Sequence, residues 1–356
     1  MLTRARFINK LFLWHEMHPR YLPWAGENNP YKIWISEIIL QQTRLEQGIP
    51  YFLKFINRFP DLTSLAKADL QEVLKYWEGL GYYSRARNLH AAAQWILLQN
   101  KGQFPTEYEM IRNLKGIGDY TAAAISSFAF NKAFPVMDGN VIRVISRIVG
   151  FKKELNSQKN KNELKEILQS YFSSKEPARF NQAIMNFGAI HCKPFQPFCH
   201  TCPFKKSCYA YQNNVIDEIP KKKLKINLRP RYFHYFIFID SNNNCVLQHR
   251  TRNDIWKGLY DFPMIELKKE DTSNPNEIIE TFKTTINFSK KFTTEPYFQA
   301  DQKLSHQWIH AKFYLVKVTE ISLKNDADFI LVKQKNLRNF AFPKIINVFL
   351  ETFLTT

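Results

Sequence analysis

Four of the five cysteines in this chain, Cys192, Cys199, Cys202 and Cys208, fall in one short stretch with the spacing C-x6-C-x2-C-x5-C. The remaining one, Cys245, stands alone, so the clustering is not a by-product of composition. Pro194, Pro197 and Pro203 lie in the same stretch and rule out a continuous helix. The segment reads as a loop wrapped around a small centre. Four-thiolate sites hold either structural zinc or an iron–sulfur cluster. Disulfides suit short secreted chains, whereas this one is long, basic and starts without a signal peptide. Zinc sites usually pair two C-x2-4-C knuckles, and here only Cys199 and Cys202 form one. The spacing therefore favours a [4Fe–4S] cluster, with zinc as the alternative.

A length of 356 residues is enough for two domains, each with its own core. The formal net charge of +18 attracts a polyanion, nucleic acid being the default, although a Lys- and Asn-rich coding bias supplies part of that excess. No apolar run approaches the roughly 18 residues of a membrane span, so no membrane partner is expected and the cytoplasm, with the nucleoid, is the expected location. Glycine is scarce, at 11 residues, yet Gly79, Gly81, Gly116, Gly118 and Gly139 crowd into three motifs. Such placement suggests unusual backbone angles or close approach to a ligand.

Residues 1–214 carry apolar positions at helical spacing, as in Trp34, Ile35, Ile38 and Ile39, or Val141, Val144, Ile145 and Ile148. Residues 215–230 read as a basic linker interrupted by Pro220 and Pro230. From residue 231 the texture changes to short β-branched and aromatic runs, YFHYFIFID, CVLQHR, HAKFYLVKV and ADFILVKQ, while NEIIETFKTTI and KIINVFLETFL look helical. The expected fold is multidomain: an all-α domain closed by the cysteine loop, then an α+β domain over 231–356.

Leu114-Lys115-Gly116-Ile117-Gly118-Asp119-Tyr120 leads into TAAAI, a helix, a tight hairpin and a new helix start. Its glycines let backbone N–H groups approach a phosphate, and the helix start adds partial positive charge. This is the helix-hairpin-helix pattern of sequence-independent DNA binding. Further on, Asp138 precedes a helix, where capping alone explains an acid. Glu37 is a lone acid among Trp34, Ile35, Ile38, Ile39 and Leu40. At an ordinary carboxyl pKa only about 0.2% is protonated at pH 7, so service as an acid needs burial to raise it.

Together PYKIWISEIILQQT, EGLGYYSRARNL, LKGIGDYTAAAI, VMDGNVIRV and the cysteine loop resemble the adenine DNA glycosylases of the MutY family, in the helix-hairpin-helix glycosylase superfamily. The likeness spans nearly all of residues 1–215. WKGLYDFP and Leu304-Ser305-His306 are similar, more loosely, to that family's Nudix-like 8-oxoguanine-reading domain. The resemblance implies an enzyme that excises adenine opposite 8-oxoguanine or guanine in duplex DNA, working as a monomer with a [4Fe–4S] cluster on the four cysteines. Glu37 is implied as the acid that protonates a flipped adenine, and Asp138 as the carboxylate stabilising the cationic sugar, with Tyr120 and Asn140 in support. Gln42, Thr43, Leu80 and Tyr82 are implied at the opened duplex, Gly116 and Gly118 at a phosphate, Gln182 at the base and Ser305 at the opposite 8-oxoguanine.

Relatives that also cut the strand carry a lysine where this chain has Tyr120, the amine that forms a Schiff base with the sugar. Little or no lyase activity is therefore expected, since neither Lys115 nor Lys132 occupies that place. The sequence departs from the family at Ala25, at Asn186, where an acid is common, and in WKGLYDFP. Three rivals remain in view. An endonuclease III-type lyase is opposed by Tyr120. A Nudix pyrophosphohydrolase is opposed because NEIIETFKTTI lacks the R-E-x2-E-E core of the metal-binding helix. A non-catalytic DNA-binding iron–sulfur protein would use both carboxylates as caps.

Overall fold

The computed structural model describes residues 2–24, 26–221, 227–268, 274–289, 291–324 and 328–355. Ala25, with its expected effect on a base pocket, and part of the expected 215–230 linker lie outside the described residues. The helices are α1 (Arg4–Met17), α2 (Pro30–Leu40), α3 (Leu45–Arg58), α4 (Leu62–Lys67), α5 (Leu70–Trp77), α6 (Ser84–Gln99), α7 (Tyr108–Arg112), α8 (Asp119–Phe130), α9 (Gly139–Val149), α10 (Gln158–Tyr171), α11 (Pro177–Asn186), α12 (Tyr209–Gln212), α13 (Pro275–Thr281) and α14 (Lys344–Phe353). None of those described is long and apolar enough to cross a membrane.

The chain divides into two compact units, residues 1–66 with 91–224, and residues 67–90 with 225–356. The chain-order boundaries drawn from sequence, 1–214 and 231–356, need one correction. Residues 67–90 join the second unit because its loops supply their polar partners. Gln71 donates to the Gly258 carbonyl at 2.9 Å, Lys75 to the Phe340 carbonyl at 2.9 Å, and Glu78 accepts from the Phe342 N–H at 2.8 Å.

In the first unit α1, α2, α9 and α10 begin at side-chain caps that the sequence supplies. Asn29 caps α2 by accepting the Tyr31 N–H, with Pro30 at the first turn, where its missing N–H costs nothing. Asp138 caps α9 in the same manner. The apolar stripes meet in a core of Phe7, Leu11, Val144, Ile145, Ile148, Phe172, Phe180, Phe187 and Phe204. Each such aromatic contributes about 1.5–3 kcal/mol by leaving water. Phe7 stacks on Phe204, at 4.9 Å between centroids, which fastens the cysteine loop to α1.

The second unit is built on a sheet with β1 (Arg229–Ile239), β2 (Asn244–His249), β3 (Tyr260–Asp261), β4 (Met264–Leu267), β6 (Thr293–Lys303), β7 (Gln307–Lys317) and β9 (Phe329–Lys333); β5 (Ile286–Phe288) and β8 (Ile321–Leu323) pair separately. The main path runs β3-β2-β1-β7-β6, with β1 and β7 parallel and β4 and β9 paired to β1 and β2. Side chains alternate between faces along β1. Phe236 packs on Phe282 just after α13, while Tyr235 stacks on Phe313, which stacks in turn on Phe349 of α14. The helix expected over NEIIETFKTTI ends early, at Thr281 and a 3-10 turn, and Ile286 enters β5. The β-branched run Thr284-Thr285-Ile286 favours that exit.

Candidate active site

Glu37 lies in the buried middle of α2 and is only 6% exposed. Apart from Ser36 its neighbours in sequence are apolar, and α2 is buried nearly all round, so that it delivers one carboxyl into the interior. Tyr120, in the first turn of α8, donates its hydroxyl to Glu37 Oε2 at 2.8 Å. Burial pushes the Glu37 pKa up to about 7; the Tyr120 hydrogen bond opposes this, and the Asp138 charge adds to it. The Tyr120 hydroxyl is itself buried and its pKa lies well above the ordinary value, so it remains a donor.

Asp138 is differently furnished. Oδ1 accepts the Val141 N–H at 2.8 Å and Oδ2 accepts the Asn140 amide at 2.7 Å. Burial raises its pKa, while these hydrogen bonds and the Arg143 charge pull it down. The capping role anticipated for Asp138 is thus real, and it leaves the carboxylate beside a second acid. The Asp138 charge reaches Glu37, which places Glu37, Tyr120, Asp138 and Asn140 in one group.

Sequence reading passed over what holds that group. Arg143, one turn along α9, donates to Asn140 Oδ1 at 2.9 Å, to the Gly188 carbonyl at 2.7 Å and to the Cys192 carbonyl at 2.7 Å. Arg147, a further turn on, donates to the Lys193 carbonyl at 2.7 Å and reaches Cys192 Sγ at 3.5 Å. Gly188 packs so closely that a Cβ there would sit 2.6 Å from Asn140 Cβ. These partners lie some 45 residues apart along the chain, which leaves no local signature. The turn Phe187–His191 that carries Gly188 is π-helical, a distortion frequent at functional sites.

The expected DNA-facing residues divide into four groups. Gln42 and Thr43 follow α2 directly, and Gln42 holds a left-handed φ of 60°. Gly116 turns the α7–α8 hairpin with φ of 84°, whereas Gly118, the residue before α8, is extended; a Cβ there would meet open space, so close approach by a ligand is what remains of its reading. Gln182 on α11 donates to Asn186 Oδ1 at 3.0 Å. Within the second unit, Leu80 is buried, Tyr82 is exposed with φ of 47°, and the Tyr82 and Ser305 hydroxyls hydrogen-bond to each other. Gly79 and Gly81 flank this turn with φ of 93° and 72°. Lys132, one of the two lysines near Tyr120 in sequence, is engaged with Glu107 at 2.8 Å.

Cys192, Cys199, Cys202 and Cys208 all line one chamber with Arg147, Phe187, His191 and Phe204. None of them is in a disulfide. Among the described residues no group of three or more His, Cys, Asp or Glu side chains is arranged to hold a single metal ion. Burial and mutual proximity raise the pKa of Cys199 and Cys208 and push Cys202 up to about 12. Four sulfurs thus share a space in which their ionised forms need a cationic centre. Over the loop surface Lys193 Nζ lies 4.2 Å from the Phe198 ring centre and Lys205 Nζ 5.4 Å from that of Tyr211.

Residues 35–171 match the family model of the HhH-GPD superfamily base excision DNA repair proteins, and residues 234–352 match that of the NUDIX domain. Over 99% of both chains, the sequence is 36% identical to the adenine DNA glycosylase of Buchnera aphidicola subsp. Acyrthosiphon pisum. The human adenine DNA glycosylase is 37% identical over 58% of this chain and 39% of its own. Among solved structures, a thermostable thymine-DNA glycosylase aligns with TM-score 0.55 and 29% identity over 59% of this chain and 97% of that one. A non-covalent endonuclease III–DNA complex aligns with TM-score 0.52 and 22% identity over 60% of this chain and 99% of that one, and it supports the helical fold.

Proposed function

Because the chain belongs to the adenine DNA glycosylases, DNA N-glycosylases of base excision repair, we propose that it removes adenine paired with 8-oxoguanine or guanine in duplex DNA, hydrolysing the N-glycosidic bond without cutting the strand. The observation that carries this reading is the unequal pair of carboxyl groups. Glu37, buried with one hydroxyl partner and a pKa near 7, keeps a large protonated fraction at neutral pH. It gives that proton to a ring nitrogen of a flipped adenine, so that the base departs neutral. Asp138, with two hydrogen bonds to its charged form, is the member that stays ionised and faces the positive charge developing on the sugar. Water completes the hydrolysis. Tyr120 fixes the Glu37 carboxyl and Asn140 fixes that of Asp138.

Gln42 and Tyr82 enter the opened duplex from backbone turns already in left-handed geometry, and flipping costs a few kcal/mol, least at a mismatch. The hydrogen bond between Tyr82 and Ser305 supports Ser305 as a reader of the 8-oxoguanine. Leu80 and Thr43 back these wedges, Gln182 serves the base pocket, and Gly116 and Gly118 admit a phosphate. The absence of an amine at Tyr120, with Lys132 held by Glu107, supports hydrolysis without β-elimination.

The four cysteines are the proposed ligands of a [4Fe–4S] cluster. All four line one chamber, and their C-x6-C-x2-C-x5-C spacing, with a single short C-x2-C knuckle, favours the cluster over a lone zinc ion. When bound, the cluster supplies four metal–thiolate bonds that tie the loop into one piece. Lys193, Lys205 and Lys206 then face phosphates from a fixed surface. We assign the protein to the bacterial cytoplasm as a monomer acting on double-stranded DNA.

The test uses duplexes with adenine opposite 8-oxoguanine or guanine, analysed with and without alkali. Strand breaks that need alkali support the reading, breaks without alkali reject the hydrolysis-only mechanism, and the absence of abasic sites rejects the function.

A further inference from the structure

His191 closes the π-helical turn and immediately precedes Cys192. Its ring is buried at 6% exposure, and Phe187 stacks on it at 4.9 Å between centroids. Nδ1 accepts the indole N–H of Trp14 at 3.2 Å. Indole can only donate, so Nδ1 carries no proton and the neutral ring bears its hydrogen on Nε2. Trp14 is itself held by stacking on His18 and an edge contact with Phe187, so the tautomer is locked from outside.

The Nε2–H is buried and makes no well-formed hydrogen bond among the described residues, the Phe198 backbone being the polar group that acts on the ring. Leaving a donor in that state costs about 1–3 kcal/mol. The ring stands between two hollows. An outer cavity of about 420 Å³ is lined by Lys10, Trp14, His18 and Phe198 as well as His191, and the second hollow is the cysteine chamber. Trp14 lines the outer cavity only. His191 itself lines the cysteine chamber, and Nε2 is the ring nitrogen that Trp14 leaves unengaged.

On this ground, which rests on the proposed cluster, we infer that His191 donates its Nε2–H to a sulfur of the cluster and that Trp14 fixes the tautomer that makes it a donor. Hydrogen bonds to cluster sulfurs favour the more negative, reduced form and so raise the reduction potential. His191 is a positioning and tuning residue, outside the chemistry of base release.

The holoprotein, His191→Phe and Trp14→Phe are compared for iron content, for reduction potential by protein-film voltammetry, and for exchangeable protons coupled to the oxidised cluster. His191→Phe keeps a flat ring against Phe187 and removes the donor. The expected result is full iron loading, loss of one coupled exchangeable proton, and a lower potential. The ratio of oxidised to reduced cluster at fixed potential should change about tenfold, which is 59 mV for a one-electron couple. Trp14→Phe should move the potential the same way by less, and it decides the matter if His191→Phe fails to load iron. An unchanged potential in a loaded variant overturns the inference and leaves the N–H to the Phe198 backbone or to water in the outer cavity. A wild-type protein that carries zinc or no iron overturns the cluster itself, a separate and recognisable outcome.

Discussion

Glu37 in the helical unit and Asp261 in the sheet unit are both fully enclosed carboxyl groups, and burial raises both pKa values, to about 7 and about 6. Their surroundings differ in kind. Asp261 meets a guanidinium, Arg250, at 2.6 Å, and the chain of charges continues through Asp254 and Arg231 to Glu266. Glu37 meets only a hydroxyl and lies in the field of a second carboxylate. A raised pKa therefore does not mark a catalytic acid by itself. An acid compensated by a cation holds a fold together, whereas one left beside another acid is kept ready to give up a proton.

The comparison is broken most severely if Glu37→Gln still works. Adenine release should fall by about a thousandfold in single-turnover assays, with duplex binding retained. The same variant should be more stable than the wild type above pH 7, by about 3 kcal/mol in denaturant unfolding. The folded protein binds a proton at Glu37 more tightly than the unfolded chain does. That contribution is complete below the unfolded pKa and is lost as pH rises through about 7. Asp138→Asn comes next, with excision lowered by about a hundredfold or more. Asparagine caps a helix as well as aspartate does, so the unfolding midpoint should barely move, which separates chemistry from capping.

Asp261→Asn should show the reverse pattern, losing about 3 kcal/mol of stability by removing the buried charge that faces Arg250, while adenine release at temperatures below the transition stays near wild type. A strong loss of excision in that variant would erase the distinction between the two carboxyl groups. Smaller again is the effect of pH on the wild type: single-turnover excision should fall toward tenfold per pH unit once above about 7, as Glu37 loses its proton. The least effect belongs to Ser305→Ala, which should narrow the preference for 8-oxoguanine over guanine about fivefold, the worth of roughly one hydrogen bond.

These residues were not equally legible. Glu37 and Asp138 could be read because an acid inside an apolar helix, and one before a helix start, are local patterns. The ladder from Asp261 to Glu266 has no such pattern: Arg231 and Glu266 are 35 residues apart and meet only across the paired strands β1 and β4. The same holds for Arg143 and for the close packing of Gly188 on Asn140, which depend on a π-helical turn no periodicity announces. The two-part architecture showed in the change from helical to alternating texture. The transfer of residues 67–90 to the second unit did not, because its cause is a set of loop carbonyls far along the chain.

The left-handed turns at Gln42 and Tyr82 bear on how such a protein would drift in the laboratory. A side chain in that conformation costs roughly 1–2 kcal/mol relative to an ordinary backbone, and glycine relieves it. A mutant library screened for heat resistance alone should accumulate glycine at positions 42 and 82. One screened for a low mutation rate in its host should reject it there. The same two codons would then report which of the two pressures a population had felt.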